Sequence, residues 1–135
     1  MSSVSTLQPA RAGRGIRLLS AALVLGICGQ FFLAGLSVFS DAALWSLHGA
    51  VGGGLSLPVI GLLALSLASS SARRYRRHTV LLFCLYCLQV GLVILGRELG
   101  LAFVSALHPV NGLFMMGAAV GLVNEVFGGQ GDRRA

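Results

Sequence analysis

Between Arg77-His78 and Arg97-Glu98 the chain reads Thr79-Val80-Leu81-Leu82-Phe83-Cys84-Leu85-Tyr86-Cys87-Leu88-Gln89-Val90-Gly91-Leu92-Val93-Ile94-Leu95-Gly96, with no charge in it. At a helical rise of about 1.5 Å per residue the run is roughly 27 Å long, close to the thickness of a hydrocarbon core. It lacks the strict alternation that a barrel strand needs, so a helix is the structure that satisfies its backbone in lipid. Working outward, three further uncharged runs appear: Leu18 to Ser40, Ala42 to Ser71 and Leu99 to Asn124. The reading is an all-α transmembrane four-helix bundle with short connections and therefore up-down-up-down order. Its parts are a disordered cytosolic N-terminus over residues 1–15, the four-helix transmembrane domain over 16–127 and a flexible cytosolic tail over 128–135.

Composition agrees. Of the 135 residues 56% are hydrophobic and only 10% charged, with mean hydropathy +0.86, whereas a soluble domain carries about a quarter charged residues. Most soluble chemistries are thereby excluded. The formal net charge of +6 does not signal nucleic acid, because the Arg residues punctuate the apolar runs instead of forming a stripe. Arg11, Arg14 and Arg17 precede the first run, Arg73, Arg74, Arg76 and Arg77 divide the second from the third, and Arg133 and Arg134 follow the fourth. Only Arg97 falls on the other side. The positive-inside rule then predicts a multi-pass protein of the plasma (inner) membrane with both termini cytosolic and Trp45 near the outer headgroups. The lipid bilayer is the first partner this implies. The Arg73–His78 stretch reads as a solvated loop that either sets topology or meets anionic headgroups.

The two halves of the chain share a pattern. Cys28-Gly29-Gln30 in the first run matches Cys87-Leu88-Gln89 in the third, and Ser46-Leu47-His48 in the second matches Ala106-Leu107-His108 in the fourth. Each His is followed four positions later by Gly, at Gly52 and Gly112. This suggests a two-helix internal repeat about an axis along the membrane normal. Counting from the nearest charges places both His about 10–15 Å inside the outer boundary, in one layer with Gln30 and Gln89.

An imidazole in lipid needs a partner, and ionisable groups within spans point to function. Two facing imidazoles can bind haem iron axially. On that reading His48 and His108 are the metal ligands of a b-type haem, Gln30 and Gln89 orient them, Gly52 and Gly112 make room, and Asn111, three residues after His108, contacts the group or bridges helices. The same residues also suit plain helix-to-helix hydrogen bonding, and another metal is a third option. Gln30 and His48 followed by Gln89 and His108 over four helices resembles one half of the haem A synthase family and, more loosely, other four-helix b-type cytochromes. The resemblance implies a haem between paired His, with electron transfer or haem handling as its use and a redox partner or larger membrane complex beside it. The His108-Pro109-Val110-Asn111-Gly112 stretch is also similar to that of an uncharacterised family of small bacterial four-helix membrane proteins.

Other residues read more plainly. Cys84 and Cys87 form a Cys-x-x-Cys inside a span, expected as buried apolar packing. Pro58 and Pro109 should kink their helices. Met115 reads as core, and Glu125 as solvated or Arg-paired.

Overall fold

The computed structural model describes residues 7–128, which form helices α1 (Leu7–Phe39), α2 (Leu44–Gly54), α3 (Ser56–Ala68), α4 (Arg76–Glu98) and α5 (Ala102–Gly128), with a 3₁₀ turn over Ser70–Tyr75 between α3 and α4. Among the described residues there is no strand. Four spans are long and apolar enough to cross a membrane: Gly13–Phe39, Leu44–Ala68, Ser70–Glu98 and Ala102–Gly128. The chain is thus an all-α, multi-pass membrane protein with a four-helix bundle. Leu18, Leu25, Phe32, Leu57, Phe103 and Phe114 are each well exposed on its outside, as side chains that face acyl chains should be.

Three expectations need correction. First, α1 reaches back to Leu7, so residues 7–15 are helical and not disordered. Ala10, Arg11, Ala12 and Arg14 are strong helix formers, and Pro9 sits in the first turn, where a missing N–H is tolerated. Residues 1–6 and 129–135, the rest of the expected irregular ends, lie outside the described residues. Second, Arg73–His78 is no open loop: the 3₁₀ turn leads straight into α4 at Arg76, with Ala72 and Tyr75 buried. His78 is already helical, and its Nδ1 stands 3.0 Å from Glu125 Oε2, so His78 is the partner of Glu125. Third, Cys28, Cys84 and Cys87 are all free and exposed, lying on the outside of the bundle instead of packing within it.

The second span is broken at Leu55, between α2 and α3. Pro58 explains the position, since its ring crowds the carbonyl of Gly54 four residues earlier and offers that carbonyl no N–H. By contrast α5 runs through Pro109 as one helix. The turn between α4 and α5 closes by a Schellman motif: Leu101 N–H donates to Gly96 O at 2.9 Å and Gly100 N–H to Arg97 O at 3.2 Å. Gly100 takes φ +64°, the left-handed geometry this motif requires.

The core is not spread evenly. Ile16, Leu23, Val59, Leu62, Leu82 and Leu122 are fully buried, and all lie in the half of the bundle nearer the Arg73–Arg77 turn. A buried Ser66 to Thr79 hydroxyl pair at 2.7 Å ties α3 to α4 there. In that half the helices pack in a ring, α1 on α3, α3 on α4, α4 on α5 and α5 on α1. Toward the Asp41 end the ring is incomplete, because α2 packs on α1 but touches α4 and α5 only sparsely, and no residue of α2 is buried. The space left open holds the candidate site.

Candidate functional site

Repeated chemistry produces repeated geometry. His48 on α2 places Nδ1 3.2 Å from the backbone carbonyl of Gln30 on α1. His108 on α5 places Nδ1 3.1 Å from the backbone carbonyl of Gln89 on α4. A carbonyl only accepts, so each ring carries its proton on Nδ1 and leaves Nε2 as a lone pair. The glycines found four residues after each His both lie beside a Gln side chain. A Cβ on Gly52 would stand 3.2 Å from Gln30 Oε1, and one on Gly112 3.4 Å from Gln89 Nε2. Gly52 therefore makes room for the Gln30 side chain, whereas the tighter neighbour at Gly112 is Phe31 Cζ at 3.2 Å, with Gln89 at ordinary contact distance.

The rings themselves meet. Their centroids are 6.2 Å apart with planes at 62°, and Trp45 packs edge-on against His48 at 5.3 Å. His48, His108, Gln30, Gln89, Gly52 and Gly112 all line one cavity of about 320 Å³, at the small end of the range of roughly 300–1,000 Å³ for ligand pockets. Its remaining walls are mainly apolar, including Phe31, Val93 and Met115. Met115 is thus both core, at 3% exposure, and cavity floor.

Beyond the shared features the halves differ. Around His108 every polar group is satisfied: the Gln89 amide nitrogen lies 3.2 Å from His108 Nε2, and Asn111 Nδ2 donates to Gln89 Oε1 at 2.6 Å and to Leu85 O at 2.9 Å. That chain fixes the Gln89 amide as the donor to Nε2. Asn111 bridges α5 to α4. It does not line the cavity. In the first half Val51 occupies the place of Asn111, three residues after the His. There the buried amide nitrogen of Gln30 has no hydrogen-bond partner among the described residues.

Tyr86 and Phe31 were not legible as site residues from the sequence. The Tyr86 hydroxyl donates to Gly52 O at 3.1 Å and Gly53 O at 3.3 Å, just before the break at Leu55. A phenol in a span needs a partner, and Pro58 signals freed carbonyls one turn upstream, so the two together were the available clue. Phe31 approaches Gly112, where a Cβ would be 3.2 Å from its Cζ; nothing in the pattern marked it.

His48 and His108 both line the cavity, and among the described residues no cluster of three or more His, Cys, Asp or Glu is placed to hold a metal ion. Neither the curated proteins nor the solved structures include a match to this chain, and the likeness to haem A synthase rests on the Gln and His pattern alone. Residues 30–96, just under half of the chain, match a family of unknown function, DUF6220, a stretch that takes in Gln30, His48 and Gln89 and stops before His108.

Proposed function

We propose that the protein binds a b-type haem between His48 and His108, in the plasma membrane of a bacterium, with the Asp41 end outside and both termini cytosolic. The observation that carries this reading is the ring spacing. Two imidazoles that held one metal through N–metal bonds of about 2.0 Å, with about 1.1 Å from each nitrogen to its ring centre, would have centres at most about 6.2 Å apart; here they are 6.2 Å apart. The anchoring of Nδ1 by a backbone carbonyl, which fixes tautomer and ring direction in metal-bound His, is present twice. The mainly apolar cavity supports a macrocycle over a bare ion.

When bound, haem would supply reversible one-electron chemistry, with His48 and His108 as the residues that would hold it. The chain's own part is to present Nε2 of each ring, to exclude water with Phe31, Val93 and Met115, and to hold ring direction through the Gln30 and Gln89 carbonyls. A single haem near one face cannot carry electrons across the bilayer alone, so a redox partner or larger membrane complex follows from the reading, with electron transfer or haem handling as the use.

Detergent-purified protein expressed with haem supply should show a Soret band and sharp reduced α and β bands, lost or shifted in His48→Ala and in His108→Ala. A colourless, monodisperse wild type that takes up no added haem would refute the proposal. One observation favours a second reading, a structural or accessory membrane subunit: the hydrogen bonds around His108, Gln89 and Asn111 are complete without any ligand. A haem-free protein destabilised by His108→Ala would support it.

A further inference from the structure

We infer that the cavity is loaded sideways from the bilayer, through the seam between α2 and α4, and that what enters is a flat, apolar ring dissolved in lipid; the identity of the ring rests on the haem reading above. The seam is a consequence of the break at Leu55. Below it α3 packs on α4, whereas above it α2 follows α1 and makes only sparse contact with α4 and α5. The rim consists of Gly49 and Gly53 on α2 and Val90 and Ile94 on α4. All four are exposed on the bundle surface and all four line the cavity. A Cβ on Gly49 or Gly53 would meet nothing, so the gap there is real space.

Entry from the Asp41 end is less suited. There α4 and α5 close tightly, a Cβ on Gly96 colliding with Ser105, and the Schellman turn ties the pair together. No Asp, Glu, Lys or Arg lines the cavity, so only the apolar ring of a haem would enter it, and the two propionates would stay at the rim. Across the seam the Tyr86 hydroxyl bonds the carbonyls of Gly52 and Gly53. Tyr86, Val90 and Ile94 recur at four-residue spacing and so share one face of α4, with the hydroxyl as the single polar clasp in an apolar rim.

The test uses full-length protein in lipid nanodiscs. Leu at the rim should obstruct passage without entering the fold, so Gly49→Leu and Gly53→Leu should each slow both loading of haem from donor vesicles and its release to a scavenger by at least tenfold. Damage to the pocket itself would instead speed release. Tyr86→Phe should speed both steps. Unchanged rates in the two Gly variants would overturn the route. A second measurement needs no haem: a lipid-soluble diazirine should footprint Met115 on the cavity floor of the wild type, and Gly53→Leu should remove that label while Phe32 and Phe103 stay labelled. If Met115 keeps its label in Gly53→Leu, or is labelled as well by a water-soluble carbene precursor, the lateral route is wrong. A wild type that takes up no haem defeats the haem reading, whereas the footprint alone decides the seam.

Discussion

On the proposed haem reading, binding at His108 would have to displace the Gln89 amide from Nε2, so the Gln89 side chain would oppose the ligand. The perturbation that isolates this is Gln89→Leu. The bond from His108 Nδ1 goes to the backbone carbonyl of residue 89 at 3.1 Å and survives any side chain there. What is lost is the 3.2 Å contact to Nε2 and an acceptor for Asn111, whose Nδ2 keeps Leu85 O at 2.9 Å. Leu fills a volume close to that of Gln beside Gly112. Interhelical hydrogen bonds in membranes are worth about 0.6 kcal/mol on average and about 1.7 at most, so freeing Nε2 should tighten haem binding by about 3- to 20-fold. Titration of haem into detergent-solubilised wild type and variant, read at the Soret band, measures it, with thermal unfolding of the haem-free proteins as the control for fold. A variant that folds like the wild type but binds haem more weakly would refute the reasoning and return Gln89 to a supporting role.

Other outcomes follow from individual contacts. Asn111→Ala leaves Leu85 O and Gln89 Oε1 without their donor and should destabilise the haem-free protein by about 1–3 kcal/mol, measured by SDS-titrated unfolding in mixed micelles. Gly96→Ala forces a Cβ into Ser105; overpacking of about 1–3 kcal/mol should appear in the same assay, and relief by the double variant Gly96→Ala/Ser105→Gly checks the cause. Tyr86→Phe removes the hydroxyl from the Gly52 and Gly53 carbonyls and should cost about 0.6–1.7 kcal/mol. The His78 to Glu125 contact is more than a third exposed on both sides, so Glu125→Gln should change stability by less than about 1 kcal/mol.

The number and extent of the spans were legible because charge and apolarity are one-dimensional signals: the uncharged run ending at Gly96 stops where α4 stops to within two residues, at Glu98. The break at Leu55 was half legible, as Pro58 announces it but cannot say that α2 then leaves α4. Exposure was misread at Cys84 and Cys87, because in a membrane an apolar side chain pays nothing to face outward, and polarity no longer separates inside from outside. The same loss of contrast hides Phe31. At the site, the pairing of His48 with Gln30 and of His108 with Gln89 was readable from spacing. That the backbone carbonyl and not the side chain makes the shared bond was not, since a carbonyl is present at every residue and leaves no mark in the sequence.

The repeat carries its meaning in the place where it fails. Both halves use a carbonyl to orient an imidazole, but only the second has Asn111 to hold its Gln onto Nε2. With Val51 in the matching position, the Gln30 amide is left buried without a partner on the side where α2 is also least packed. An unsatisfied amide in hydrocarbon is costly, and a fold under selection for packing alone would gain by an apolar residue at position 30 or a donor-acceptor at 51. A site that must accept a ligand has the opposite requirement: one ring fixed, the other reachable, with an unspent amide beside it. Val51→Asn separates these demands. If it satisfies Gln30, the haem-free protein should gain about 0.6–1.7 kcal/mol, and haem should bind more weakly by the matching factor of about 3 to 20. A gain in stability with no loss of affinity would show that the asymmetry serves no ligand.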